Sequence, residues 1–413
     1  MSRVIAFCFL LLAAVLGFLY IDNRPAWAPF QSATVSVGEE GQAQAYPVKK
    51  SSSVNKLSVA HPQSDWLPDT GAASVHAASL IGLKDGSIRA FWFAGTREGA
   101  PDVVINSSVF DPRSAVWSAP TIVMDRVTAE KGLSRYIAKL GNPVPSRSAD
   151  GSLQLFFVTV SIGGWAGSSI STISSTDEGA TWSRPHRLIT SPFTNLSTLV
   201  KSPAIQFADG RLGLPAYHEW IGRFGEFLRV ESDQVIDKRR MSSGRGAIQP
   251  IVFTNNAEQA TAYFRQTRSG SALKQIPVSE TRNAGQAWEI IGDLEIPNPN
   301  SAIAAVALSN GMRLLVLNNL EGGRHRLVML IADSTSSDQA KQGQVVQVLE
   351  DDEVLPAEQR REFSYPYLIT GDGSDAHLVY TWDRKKIRHI HFDSAWLTQL
   401  QSQLKDQKKE GGQ

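Results

Sequence analysis

The chain has 413 residues, 42% hydrophobic and 20% charged, a mix that can bury a large core in an ordinary globular protein. Its formal net charge of +1 excludes the strongly basic balance of a nucleic-acid binder or of a polybasic membrane-surface protein. It carries no phosphate loop and no dinucleotide fingerprint, so no cofactor is expected.

From the N-terminus, Ser2 and Arg3 precede an uninterrupted apolar run over residues 4–21, closed by Asp22 and Arg24. A charged start before such a run predicts an export signal, and the run is just long enough to span a bilayer. Ala26-Trp27-Ala28 offers a small-x-small cleavage site but sits several residues beyond the run. Residues 1–28 are therefore expected to be a signal peptide or, by preference, an uncleaved membrane anchor. Arg3 would hold the N-terminus inside, leaving the remainder exported, periplasmic or tethered to the membrane. The only cysteine, Cys8, falls in this run, so the body has no disulfide or thiol chemistry. Residues 29–65 are rich in Ser, Gln, Gly, Glu and Lys and predict a linker and the approach to the first strand. Residues 66–397 form the folded body and 398–413 a polar tail, with a short amphipathic helix expected near 394–405.

Within the body one unit recurs six times: a short apolar strand, a two-residue turn signal, and a second apolar strand. The turns are Asp85-Gly86, Asp150-Gly151, Asp209-Gly210, Asn255-Asn256, Asn310-Gly311 and Asp372-Gly373. Asp-Gly and Asn-Gly supply the positive φ angles that tight hairpins need. Six such units without a long amphipathic helix predict an all-β, six-bladed β-propeller. A second repeat agrees. Residues 175–182 read Ser-Thr-Asp-Glu-Gly-Ala-Thr-Trp, an Asp box, and residues 281–288 are a degenerate copy. There the Asp or Asn caps a turn, the Gly takes a left-handed conformation and the Trp plugs the blade core.

The first strands of the units begin at His76-Ala77, Asn142-Pro143, Ser202-Pro203, Gln249-Pro250, Asn300-Ser301 and Tyr365-Pro366. Proline suits a strand's first position, so part of this pattern is backbone economy. The rest predicts a ring of polar groups facing a ligand at one mouth of the channel. The second strands add charge: Arg97, Glu98 and Asp102; Tyr217-His218-Glu219 and Glu226; Arg265; Arg324 and Arg326. Glu362 precedes the sixth unit. Arg97, Arg265 and one of Arg324 or Arg326 suit a carboxylate clamp, because arginine presents a planar bidentate fork. No metal site is expected: the eight histidines are scattered, and His389 and His391 have no acidic cluster nearby.

Five segments together resemble the sialidase superfamily, and most closely its bacterial BNR-repeat group. They are residues 93–102, 163–169, 215–226, 297–301 and 362–366. The resemblance runs from about residue 76 to residue 397 and implies a retaining glycosidase with a tyrosine nucleophile, unlike the two-carboxylate scheme. It maps Asp102 to the acid/base and Tyr365 to the nucleophile. Arg265 with Arg324 or Arg326 map to two members of an arginine triad. Two positions depart: His76 stands where a triad arginine is expected, and Gln249 where the glutamate partner of the tyrosine is expected. Glu226 and Glu362 are the spare activators, and Asp102 with Glu98 or Glu226 would make an inverting pair. The expected ligand is an acidic sugar of a glycan or exopolysaccharide, bound among His76, Arg97, Asn142, Tyr217, His218, Gln249, Arg265, Asn300, Arg324 and Arg326. A glycosidase is expected first. A non-catalytic carbohydrate-binding propeller is the alternative that His76 and Gln249 favour.

Overall fold

The computed structural model describes residues 2–22, 26–31, 62–191, 195–242, 244, 246–268, 274–308, 312–333, 343–371, 375–400 and 402. The six repeats form six antiparallel sheets, each the blade of a propeller. Blade one comprises Ser74–Gly82, Ile88–Gly95, Val104–Asp111 and Val116–Trp117; blade two Lys139–Arg147, Leu153–Val160, Ser168–Ser175 and His186–Arg187. In blade three the inner strand is split into Leu199–Val200 and Ile205–Gln206, followed by Leu212–His218, Phe224–Glu231 and Gln234–Arg240. Blade four runs through Ala247–Thr254, Ala260–Gln266, Gln275–Thr281 and Glu289–Pro297. Blade five runs through Ala304–Ala307, Met312–Leu317, Arg326–Asp333 and Gln344–Asp351. Blade six holds Phe363–Ile369, Ala376–Trp382 and Lys386–Phe392. The inner strand of blade one packs against the inner strands of both blade two and blade six, which closes the ring.

Burial explains the strand patterns. Every residue of Leu153–Val160 is buried, because a second strand has a neighbouring blade on each face and so reads as a continuous apolar run. Outer strands such as Gln344–Asp351 contain no buried residue and read as polar. The described hairpin turns follow their chemistry: Gly86, Gly151 and Gly210 lie at φ 87°, 81° and 80°. Asp85 and Asp150 each accept from the N–H and hydroxyl of the serine two residues on. The turns at 310–311 and 372–373 lie outside the described residues.

The ends of the body depart from expectation. Gln63–Trp66, expected as an approach to the first strand, pairs with Lys386–Phe392 and supplies the outermost strand of blade six. Ahead of it, Trp27 and Phe30 are buried against Phe207 and Phe227, and Trp27 Nε1 donates to Asp237 Oδ2 at 3.0 Å. These residues fall in the segments expected as cleavage site and linker. At the other end Leu397 and Leu400 are buried in the core shared by blades five and six.

The expected membrane anchor is corrected. Ser2–Asp22 is helical, but a span needs about 20 predominantly apolar residues. Among the described residues no helix is long and apolar enough to cross a membrane. Neither the membrane as a partner nor the localisation that rested on the anchor is retained.

The Asp boxes work as turns that lock one blade to the next. Asp177 Oδ1 accepts from Ser175 Oγ at 2.7 Å and from Thr181 N at 2.9 Å, and Gly179 N donates to Ser175 Oγ at 2.8 Å. The degenerate copy repeats this with Asn283, Thr281 and Gly285. The tryptophans reach across blades rather than filling their own: Trp182 of blade two meets Phe91 of blade one, and Trp288 of blade four meets Phe227 of blade three. Glu178 adds a bidentate pair with Arg147, both contacts at 2.8 Å, while its carbonyl accepts from Arg89 of blade one.

Gly179, at φ +90°, has Arg89 Nε 2.8 Å from where a Cβ would sit. Gly163, at φ +80°, has no atom within 4 Å. Both alanine variants incur left-handed strain of roughly 1–3 kcal/mol. Denaturant unfolding is expected to show a larger loss for Gly179→Ala than for Gly163→Ala. Equal losses would mean that Gly179 is not needed for blade contact.

Candidate active site

The inner strands share one local device. Ala77, Asn142, Gln249, Asn300 and Tyr365 all adopt left-handed backbone, with φ between 44° and 61°. In blades one, two, four and six the strand register shifts across this residue, between His76 and Ser79, Gly141 and Val144, Ile248 and Ile251, and Ser364 and Tyr367. Each is a β-bulge, in which one residue is left unpaired and its side chain is re-aimed. Asn142-Pro143, Gln249-Pro250 and Tyr365-Pro366 are therefore bulges inside strands, not strand starts, while Ser202-Pro203 lies in the break of the blade-three inner strand. Proline follows because the bulge leaves its position without need of an N–H donor. In blade one the bulged residue is Ala77, so His76 stands one position before the others.

The bulges bring Tyr365, Gln249 and Asn142 together with Tyr217 of blade three. Gln249 Nε2 donates to Tyr365 Oη at 3.3 Å and to Tyr217 Oη at 3.2 Å. Asn142 Nδ2 donates to Val200 O at 3.1 Å and lies 3.4 Å from Tyr217 Oη. Among the described residues no carboxylate oxygen lies within hydrogen-bond distance of Tyr365 Oη. Gln249 occupies that place, and its Oε1 accepts from Arg265 Nη1 at 3.3 Å. Arg265 Nε donates to Asn300 Oδ1 at 2.7 Å, and Arg265 makes no ion pair among the described residues.

His76 lies beneath, with its ring 4.3 Å from that of Tyr365. It is buried, and neither ring nitrogen has a hydrogen-bond partner among the described residues. Burial, then the charge of Arg384, hold its pKa well below the usual histidine value. Arg324 and Arg265 act the same way and Glu362 against them, so all these charges surround one imidazole. Glu362 sits between two arginines: it accepts from Arg324 Nη1 at 3.1 Å, Arg384 Nε at 3.0 Å and Ser364 Oγ at 2.6 Å. Burial would raise its pKa, but the Ser364 hydroxyl and Arg384 outweigh burial and hold it at about 2. Arg384 also donates to Glu98 Oε2 at 2.5 Å.

Other expected residues lie apart. Arg97 and Asp102 are exposed on the loop between the second and third strands of blade one. Asp102 accepts from Thr96 N and Oγ1, and these bonds outweigh its slight burial and keep its pKa low. Arg326 pairs with Glu353 and Asp351, whereas Arg324 faces Glu362 and Asn300. Glu226 pairs with Lys238, and His218 Nε2 accepts from Ile221 N in a local turn.

Three residues outside the sequence-based set join the site. Arg384 was visible only as the residue after Asp383. Glu219 follows Tyr217 and His218; burial raises its pKa, with Arg265 and Arg223 opposing, and its charge reaches the Tyr217 hydroxyl. Lys201 directly precedes Ser202-Pro203, where no periodic signal marks it as buried.

A model of the BNR repeat-like domain family matches residues 86–378. No curated protein matches the sequence. Among solved structures, the Hadza microbial sialidase Hz136 superposes with a TM-score of 0.61 at 14% identity, covering 78% of this chain and 66% of that one. A protein of unknown function from Dyadobacter fermentans gives 0.60 at 15%, covering 80% and 97%. The intramolecular trans-sialidase from Ruminococcus gnavus, in complex with oseltamivir carboxylate, gives 0.59 at 14%, covering 79% and 96%. The chain spans about two thirds of the first of these. At such identities the likeness establishes the six-bladed sialidase-like architecture.

Lys201 closes the bottom of the site, lining a small cavity with Ala77, Asn142, Pro143 and Tyr365. Its ammonium donates to the carbonyls of Pro366 and Ile303, so one side chain from blade three ties blades five and six. Burial, then Arg265, lower its pKa to about 7. An unfolded lysine keeps its proton to about pH 10.4. Between these values the unfolded chain binds more protons than the folded one, so this group makes stability rise with pH, by at most about 1.4 kcal/mol per unit. That contribution is complete above the unfolded pKa and is lost as pH falls through 7. Unfolding of Lys201→Met, measured from pH 6 to 10, is expected to lack the rise that the native chain shows. Parallel curves would contradict the assignment.

Proposed function

The chain belongs to the BNR repeat-like domain family, and on that premise we propose that it is a glycoside hydrolase of the sialidase type acting on a sugar that carries a carboxylate. The observation that carries the reading is the meeting of three arginines beside Tyr365: Gln249 joins Arg265 to Tyr365, Arg265 and Arg324 both donate to Asn300, and Arg324 and Arg384 share Glu362. A planar guanidinium fork matches a carboxylate bidentately. Arg265, which has no carboxylate of its own, takes the sugar's charge. Glu362 holds Arg324 and Arg384 in place beside it. The sialidases that this fold resembles supply the chemical class, and one of them is described with a ligand named as a carboxylate.

In this reading the Tyr365 hydroxyl attacks the anomeric carbon, and Asp102 on its exposed loop serves the leaving oxygen as acid and the incoming water as base. Gln249 changes one part of the scheme. Its amide donates to the phenolic oxygen, which stabilises a developing phenolate, and passes on the polarisation of Arg265 through its own carbonyl. It cannot accept the proton. Among the described residues no carboxylate lies within hydrogen-bond distance of Tyr365 Oη, so in this reading the phenolic proton leaves to water. A second reading, a carbohydrate-binding propeller without turnover, is favoured by one observation: the only hydrogen-bond partner of Tyr365 Oη among the described residues is an amide.

Turnover of aryl glycosides of acidic sugars separates the two. Tyr365→Phe or Asp102→Asn is expected to lose at least about 10²-fold in kcat with folding intact. Full activity in either variant would sink its assigned role. Gln249→Glu is expected to raise kcat by about 10²-fold. If the native chain binds the sugars but neither it nor Gln249→Glu releases product, the binding reading stands. Arg265→Ala is expected to weaken binding of the acid by roughly 10–100-fold, the worth of one charge-assisted pair.

A further inference from the structure

The seam that closes the ring holds a second cluster, in blade six but with no residue in common with the Tyr365 pocket. His377 and His391 are direct cross-strand partners in blade six, and their rings stack 4.1 Å apart. Asp375 stands at the start of the same strand as His377. Its Oδ1 accepts from Gly371 N at 3.1 Å, which leaves Oδ2 turned to the imidazoles, 3.4 Å from His377 Nε2 and 3.5 Å from His391 Nε2. The His391 Nε2 atom is inaccessible to solvent and has no hydrogen-bond partner among the described residues.

A chain of close contacts backs the cluster: His377 Nδ1 is 3.0 Å from His389 Nε2, and His389 Nδ1 is 2.8 Å from Asp65 Oδ1. Asp375 Oδ2 thus faces two imidazole nitrogens in a largely buried place, which is the donor set of a divalent cation. A carboxylate reaching a ligand through histidine N–H groups is the outer support that metal-bound histidines carry.

We propose that Asp375 Oδ2, His377 Nε2 and His391 Nε2 form a zinc-class divalent metal site, with Asp65 and His389 as its outer support. With metal–ligand bonds of about 2.0–2.1 Å, neighbouring donors of a tetrahedral ion lie about 3.3–3.4 Å apart. The two Asp–His separations, 3.4 and 3.5 Å, fit two edges of that tetrahedron. All three donor atoms lie within 4.8 Å of one another. The stacked rings have to turn towards each other about χ2 to aim both lone pairs at one ion. Two imidazoles and a carboxylate leave the fourth position to water. Asp65 belongs to the N-terminal strand Gln63–Trp66 that completes blade six, and His389 packs against Phe110 and Trp117 of blade one. The ion therefore clasps the strand that closes the propeller.

Calorimetric titration of the metal-stripped full chain with zinc chloride tests this, with Tm followed in parallel. The native chain is expected to take up one Zn²⁺ and to gain thermal stability from it. His391→Gln and Asp375→Asn are expected to lose the uptake and the zinc-dependent gain, each at least 10-fold in affinity. Asp65→Asn, which touches no donor atom, is expected to weaken zinc by about 10–100-fold. Circular dichroism of the metal-free variants separates loss of the site from loss of the fold. No stoichiometric uptake by the native chain, or unchanged uptake in folded His391→Gln or Asp375→Asn, would overturn the proposal.

Discussion

The bulge in the inner strands is the constraint on which the rest of this molecule depends. A strand pairs every residue and points side chains alternately to its two faces, towards the neighbouring blades. By itself it offers nothing to the channel. One unpaired residue in left-handed backbone breaks that alternation, and the break recurs at Ala77, Asn142, Gln249 and Tyr365, while Asn300 takes the same backbone just ahead of the inner strand of blade five. Glutamine and tyrosine take up this conformation at a cost of roughly 1–3 kcal/mol each, and such strain persists only where surrounding structure enforces it. Here the enforcing structure is the blade itself, buried on both faces and pinned to its neighbours by the Asp-box turns, Trp182, Trp288 and Glu178.

Once the bulges are set, the electrostatics follow. Arg265, Arg324 and Arg384 come from three blades and meet near one neutral histidine. Two of the three pair with Glu362, and Arg384 also with Glu98; burial pushes the Glu362 pKa up, and Ser364 and the arginines hold it down. The third is held only by amides, those of Gln249 and Asn300. The pocket is thus charged where a ligand carboxylate would enter and polar but uncharged where the tyrosine sits. Lys201, under both, gives its protons to backbone carbonyls and anchors the floor.

Much of this was legible in the sequence, for identifiable reasons. Asp-Gly turns and the intact Asp box have local geometry that few alternatives satisfy, so the blade count followed from them. Tyr365, Gln249 and Asn142 stood out because they recur at one place in the repeat, and Arg265 with Arg324 or Arg326 because charge gathers at the ends of the second strands. Choosing between Arg324 and Arg326 required knowing that the second faces Asp351 and Glu353 across a strand pair. Arg384, Glu219 and Lys201 carry no periodic mark, since their role depends on which blade lies opposite. The same holds for Asp375, His377 and His391. His389 and His391 looked isolated because Asp65 meets His389 only when the N-terminal strand completes blade six, and Asp375 meets His391 only across the hairpin register. The polar-Pro pairs were seen but taken for strand starts, because hydrophobic periodicity does not distinguish a first residue from a bulge. The N-terminal run misled in another way: composition suggests a span, whereas Trp27 and Phe30 just beyond it belong to the core.

The central claim is that this pocket recognises the negative charge of a sugar. Calorimetric titration of the native chain with N-acetylneuraminic acid and glucuronic acid, each beside its neutral methyl ester, measures that directly. The account predicts that at least one acid binds about ten-fold or more tightly than its ester, the minimum expected of a charge-assisted contact with Arg265. Equal affinity of acid and ester for every pair tested would contradict it.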